Sequence, residues 1–186
     1  GGVDGSLWQM TRAYAVFANG GVRVEPHRVI SVVDREGRPR SQTQRQSQQV
    51  MDADVAFLMS QMLANVIAYT FDRGTQGGSG RRARFLVSEL GMPLAGKTGT
   101  TDNYSDAWFI GFSPYHTIGV WVGNDTKQPI GPGREGANTA LPVWMEVMQA
   151  ASEGGSPEGS SCPWVSFSAL SMLEPVCCRA KHAGQQ

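Results

Sequence analysis

The chain has no excess of charge of either sign: 16 Lys and Arg balance 16 Asp and Glu, giving a formal net charge of zero. A balanced surface has no bulk attraction for nucleic acid or for an anionic membrane, so neither is expected as a partner. Long apolar runs are also missing, and nothing approaches the roughly 20 residues that span a bilayer. Gly1-Gly2-Val3-Asp4-Gly5 has no basic segment ahead of an apolar core, so these residues are not expected to carry a leader or anchor of their own. Cysteine is confined to Cys162, Cys177 and Cys178, all near the C-terminus. None of them can be a core thiol of the main domain, adjacent cysteines rarely bond each other, and the spacing matches no zinc pattern. They read as incidental tail thiols, and no metal or cofactor is expected.

What is present is the composition of one globular domain. The chain has 186 residues, 40% of them apolar, and 23 glycines point to tight turns and strands rather than a helical bundle. Ser6 to Asn19 reads as a helix with Leu7, Met10, Tyr14 and Phe17 on one stripe, stopped by Gly20-Gly21. Val29 to Val33 followed by Arg35-Glu36-Gly37-Arg38 reads as a strand or hairpin, and Gln42 to Gln49 as a polar loop. A second helix starts near Asp52 and runs to about Ala68, with Val55, Leu58, Met59, Met62, Leu63 and Val66 expected to form its core stripe. Arg73 to Arg82 is rich in glycine and reads as a flexible loop. Leu94 to Thr101, Ala107 to Phe112 and Thr117 to Val122 are three β-prone runs whose short connections favour antiparallel pairing. A last helix is expected from about Ala137 to Ala150, with Leu141, Trp144, Met145 and Met148 inward and Pro142 in its first turn. The sequence from Ser152 onward is a linker by composition. The order predicts an α+β domain, an antiparallel sheet flanked by helices over residues 1–151, with 152–186 a linker and tail.

Two chemistries compete for Leu94-Ala95-Gly96-Lys97-Thr98-Gly99-Thr100-Thr101. With Gly91 it fits the G-x-x-x-x-G-K-[ST] pattern of a phosphate-cradling loop. It also contains the Lys-Thr-Gly element of penicillin-recognising serine enzymes. A phosphate loop needs a strand before it and a helix straight after it. Arg84 to Ser88 can supply a strand, but Gly99, two threonines, Asp102 and Asn103 are poor helix residues. In the second reading the residues form an edge strand. Alternation then sends Lys97 and Gly99 to one face and Thr98 and Thr100 to the other, where two hydroxyls can hold one carboxylate. Lys97 adds positive potential, and Gly99 leaves room for a peptide backbone.

The flanks carry a resemblance. Gly96-Lys97-Thr98-Gly99-Thr100-Thr101, then Asp106-Ala107-Trp108-Phe109-Ile110-Gly111-Phe112, then Gly119-Val120-Trp121-Val122-Gly123-Asn124-Asp125 resembles the transpeptidase domain of bifunctional (class A) penicillin-binding proteins. The likeness extends to Met10 to Gly21 and to Ala140-Leu141-Pro142-Val143-Trp144, and so covers roughly residues 1 to 150. Arg73-Gly74-Thr75 is similar to the family's Gly-Thr-Gly loop, with Gln76 in place of the second glycine.

The resemblance implies a penicillin-binding protein/serine β-lactamase-like fold and a serine DD-transpeptidase. In such an enzyme a serine attacks the penultimate D-alanine carbonyl of a peptidoglycan stem peptide, and an amine of a neighbouring stem resolves the acyl-enzyme. β-Lactams trap the same serine. It further implies that Lys97 polarises the site and its proton relay and that Thr98 and Thr100 bind the ligand carboxylate. The Thr100 N–H would be one of two oxyanion donors. Trp108 and Phe109 are expected in the core, and Asp106 either orients the turn or is a solvated turn carboxylate. No Ser-x-x-Lys and no Ser-x-Asn occurs in the 186 residues. The chain is therefore expected to be the C-terminal part of a longer protein, anchored by a segment elsewhere and facing the periplasm. Its expected partners are stem peptides, β-lactams, the upstream half of the domain and a glycosyltransferase domain. A DD-carboxypeptidase, a serine β-lactamase-like enzyme and a non-catalytic β-lactam-binding domain are the alternatives. Cys162-Pro163-Trp164 and Cys177-Cys178-Arg179 depart from the family pattern.

Overall fold

The computed structural model describes residues 5–68 and 78–153. The glycine-rich stretch around Thr75 and Gln76, and the tail with its three cysteines, lie outside those residues. The first helix, α1 (Leu7–Ala18), opens on a capping box: Ser6 Oγ accepts the Gln9 N–H, and Gln9 Oε1 accepts the Ser6 N–H. Such a cap adds about 1 kcal/mol. The helix ends as expected at Gly20 and Gly21, both at positive φ. Its burial differs from the expected stripe, because Met10 is exposed and Val16 is the buried residue.

The chain then forms β1 (Val22–Val24), the hairpin β2 (Ser31–Val33) and β3 (Pro39–Gln42), and β4 (Ser47–Gln49). Asp34 holds the hairpin turn by accepting the N–H groups of Glu36 and Arg38. β4 corrects the sequence reading, which has residues 42–49 as a loop. Ser47–Gln49 pair antiparallel with β1, and Gln49 Nε2 donates to the carbonyls of Gly20 and Met51. An exposed polar ribbon has no apolar alternation to mark it, so its partner decides its conformation.

The second helix, α2 (Ala53–Ala68), is where the expected stripe fails most clearly. Its buried ridge is Ala56, Ser60, Leu63 and Ile67, while Val55, Leu58 and Met62 are exposed. The helix is apolar on two faces, so spacing alone cannot choose between them. Ser60 is buried without penalty because its hydroxyl donates to the Phe17 carbonyl at 3.2 Å. A 3-10 turn (Arg81–Ala83) leads into α3 (Arg84–Leu90). The strand that a phosphate loop would need at Arg84 to Ser88 is therefore a helix. Gly91, the residue that completed that pattern, is the helix's C-cap at φ 63°.

The centre of the domain is an antiparallel sheet of β5 (Ala95–Thr100), β6 (Asp106–Phe112) and β7 (Thr117–Gly123), in that order. α1 packs on one face and the last helix, α4 (Ala140–Glu153), on the other. α4 starts three residues later than its pattern suggests, because the N–H groups of Ala140 and Leu141 still bond the Gly136 carbonyl in the preceding turn. Its Leu141, Trp144 and Met148 are fully buried. The Trp144 ring lies 4.8 Å from Phe109, and its indole N–H donates to the Ile118 carbonyl at 3.1 Å. Ile67, Leu86 and Leu94 complete this core, and a smaller cluster of Leu63, Ala95 and Phe112 sits with Tyr14 and Phe17. The observed α+β architecture is the expected one.

Candidate active site

β5 pairs with β6 along one side, and among the described residues no strand pairs with its other side. Cross-strand partners share a face, so the register places the side chains. Thr98 is opposite Phe109 and Thr100 opposite Ala107, both in the core beneath α4. Thr98 and Thr100 therefore share the α4 side. Lys97 is opposite Ile110 and Gly99 opposite Trp108, on the α1 side.

The ladder also fixes the backbone. Thr101 N–H donates to the Asp106 carbonyl at 3.2 Å. Antiparallel pairs alternate between bonded and non-bonded, so the N–H and C=O of Thr98 and Thr100 point away from β6, to the open edge. Lys97 confirms the direction: its side chain bends round that edge and its ammonium donates to the Thr98 carbonyl at 3.0 Å. It forms no ion pair among the described residues. One short edge thus presents an ammonium, two hydroxyls and the Thr100 amide.

Two segments remote in sequence support those hydroxyls. Ser79, just before the 3-10 turn, places its Oγ 2.8 Å from Thr98 Oγ1. Gly136, in the turn before α4, donates its N–H to Thr100 Oγ1 at 3.0 Å. A side chain at Gly136 would strike the Trp108 carbonyl and come within 2.7 Å of the Gly99 carbonyl, so only glycine lets that amide approach the strand. At Gly99 a Cβ would lie 3.1 Å from Trp108 Cβ, a tight contact that the paired strand would have to yield to. Sequence reading missed both supports, because Ser79 falls in a run read as flexible loop and Gly136 in an unmarked turn. The only available signals were a hydroxyl and a glycine directly ahead of helical segments.

The β5–β6 turn is tied down by proton counting. Ser105 Oγ donates its one proton to Asp106 Oδ2 at 2.7 Å, so in the 2.9 Å contact between Thr101 and Ser105 hydroxyls Thr101 is the donor. Trp121 Nε1 donates to Asp106 Oδ1 at 2.9 Å. The hydrogen bonds from Ser105 and then Trp121 hold the Asp106 carboxyl below its ordinary pKa, helped by the Lys127 ammonium. Asp106 is thus bound into the turn beside the site rather than simply solvated. Tyr104 sits at φ 56°, held by its N–H to the Thr101 carbonyl and by the Ile130 N–H on its own carbonyl. Of the two expected core aromatics, Phe109 is fully buried. Trp108 is only half-buried: alternation turns it to the other face, 6.2 Å from Trp121.

A helix-flanked antiparallel sheet with a Lys-Thr-Gly-Thr strand open along one edge defines a domain of the penicillin-recognising class. The penicillin binding protein transpeptidase domain matches residues 1–149, and the chain belongs to that family. Penicillin-binding protein 1A of Aquifex aeolicus is 38% identical over 149 residues, which are 80% of this chain and 19% of that protein. The chain spans about a fifth of the length of the curated relatives it matches. Penicillin-Binding Protein 1A from Haemophilus influenzae shares the fold, with a TM-score of 0.68 and 24% identity over 86% of this chain and 28% of that one. Penicillin binding protein 3 from Mycobacterium tuberculosis, solved with ampicillin, aligns with a TM-score of 0.59 and 26% identity over 87% of this chain and 38% of that one.

Proposed function

We propose that these residues form the C-terminal part of a serine DD-transpeptidase that cross-links peptidoglycan stem peptides and is acylated by β-lactams. The domain part is residues 1–151, with 152–186 a linker and tail. The observation that carries this reading is the open edge of β5, where Thr98 and Thr100 hydroxyls, the Thr100 amide and the Lys97 ammonium meet. A ligand ending in a carboxylate takes charge-assisted hydrogen bonds from the two hydroxyls. Its reacting carbonyl then lies along the strand edge, where the Thr100 N–H stabilises the oxyanion of the tetrahedral intermediate. Lys97 supplies positive potential at the same edge and polarises the proton relay.

The nucleophile comes from a longer chain, because the 186 residues hold neither Ser-x-x-Lys nor Ser-x-Asn. The exposed apolar ridge of Val55, Leu58 and Met62 on α2 supports that reading, since such a face is covered in a larger body. The upstream half of the domain and a glycosyltransferase domain of the same protein are its partners. The enzyme works at the periplasmic side of the membrane, anchored by a segment outside these residues; no helix among the described residues is long and apolar enough to cross a membrane.

Fluorescent penicillin tests the reading. The longer protein should be labelled covalently, and the 186-residue chain alone should not. Thr100→Val in the longer protein should slow acylation about 10- to 100-fold, the range for one hydrogen bond to a charged group. A denaturation-resistant label on the short chain, or unchanged acylation of Thr100→Val, would contradict it.

A further inference from the structure

Ser79 has no role in the function proposed above, yet its hydroxyl lies 2.8 Å from that of Thr98. We infer that Ser79 is a positioning residue for the carboxylate site, orienting the Thr98 hydroxyl so that its proton faces the ligand. The inference rests on the proposed carboxylate site and deepens it.

A threonine hydroxyl has one proton and two lone pairs, and a carboxylate can only accept. Once Thr98 donates to an anionic ligand it has no second proton, so the Ser79 contact must run from Ser79 to Thr98. The result is a relay of hydroxyl, hydroxyl and carboxylate in which each bond polarises the next. The same arrangement stands a few residues away. Thr101 donates to Ser105 and Ser105 to Asp106, ending on a carboxylate of the protein itself. At Thr98 the carboxylate is the ligand's.

Thr100 is supported in parallel. Its Oγ1 already accepts the Gly136 N–H, so its own proton is left for a ligand. The two hydroxyls differ in what supports them. Gly136 offers a fixed backbone donor, whereas Ser79 offers a side chain that can be replaced without moving the backbone. Ser79 is also exposed, while the neighbouring Gly80 is buried, its N–H bonded to the Val66 carbonyl at the end of α2. The backbone at this point is therefore anchored independently of the Ser79 hydroxyl.

The test compares acylation of the longer protein by benzylpenicillin and by its methyl ester, which lacks the carboxylate. Ser79→Ala should lower the second-order acylation rate for the acid about three- to tenfold, the scale of one hydrogen bond between neutral groups, and the rate for the ester less than about twofold. Ser79→Thr, which keeps a hydroxyl, should restore the acid rate. The double variant Ser79→Ala/Thr98→Val should be no slower than Thr98→Val alone, because both act through one hydroxyl. An equal loss for acid and ester would overturn the inference by showing a structural role, and so would no loss for the acid. If Thr98→Val itself leaves the acid rate unchanged, the carboxylate site is what fails; if Thr98→Val slows it and Ser79→Ala does not, only the role of Ser79 fails.

Discussion

Gly136 and Thr100, 36 residues apart, are joined by a hydrogen bond of 3.0 Å from the glycine's amide to the threonine's hydroxyl. The bond ties the loop before α4 to the end of the edge strand, where ligand and backbone chemistry meet. Gly136→Ala should break it, because the new methyl group collides with the carbonyls of Trp108 and Gly99. The expected cost is about 1–3 kcal/mol of stability, as for other overpacked sites, with slower acylation of the longer protein by penicillin. Chemical denaturation and acylation kinetics check the two effects. Unchanged values would mean that the loop and strand are not coupled.

Asp106 gives a dependence on pH. Its folded pKa is held below the ordinary carboxylate value by the Ser105 and Trp121 hydrogen bonds. A depressed folded pKa contributes stability that is complete above the unfolded value, about 3.9, and is lost as pH falls through the folded one. Asp106→Asn should therefore lower the melting temperature at pH 7, and the gap from the parent should narrow below about pH 4. A gap that stays constant down to pH 3 would show that the charge of Asp106 does not matter.

Trp144 is the largest fully buried side chain among the described residues and connects α4 to β6 and β7. Trp144→Ala should destabilise the protein by about 3–5 kcal/mol, the usual range for removing a buried aromatic. Urea denaturation measures it, and a loss under 1 kcal/mol would place the core elsewhere.

Much of this was legible in the sequence because strong local signals agreed with the tertiary fold. The three strands of the main sheet are β-prone runs that lie between turn residues, and the Lys97–Thr100 segment follows the face assignment that a period of two requires. The glycine stop of α1 was legible for the same reason. Other features depend on partners that no local pattern reveals. Ser47–Gln49 become a strand only because α1 delivers Val22–Val24 beside them. Arg84 to Ser88, apolar enough for a strand, is helical because it leads into the Gly91 cap and packs Leu86 into the core. The buried face of α2 is decided by Phe17 and β5, not by its own composition. At the site, Lys97, Thr98, Gly99 and Thr100 stand out as a motif, whereas Ser79 and Gly136 matter only through where the chain brings them.

The central claim is that the β5 edge holds the carboxylate and the oxyanion of an acylating ligand. A crystal structure of the longer protein acylated by penicillin tests it most directly. The account predicts the ligand carboxylate about 2.5–3.0 Å from the hydroxyls of Thr98 and Thr100, with the ester carbonyl oxygen accepting from the Thr100 N–H. A ligand whose carboxylate lies away from both threonines, with its carbonyl off the strand edge, would contradict it.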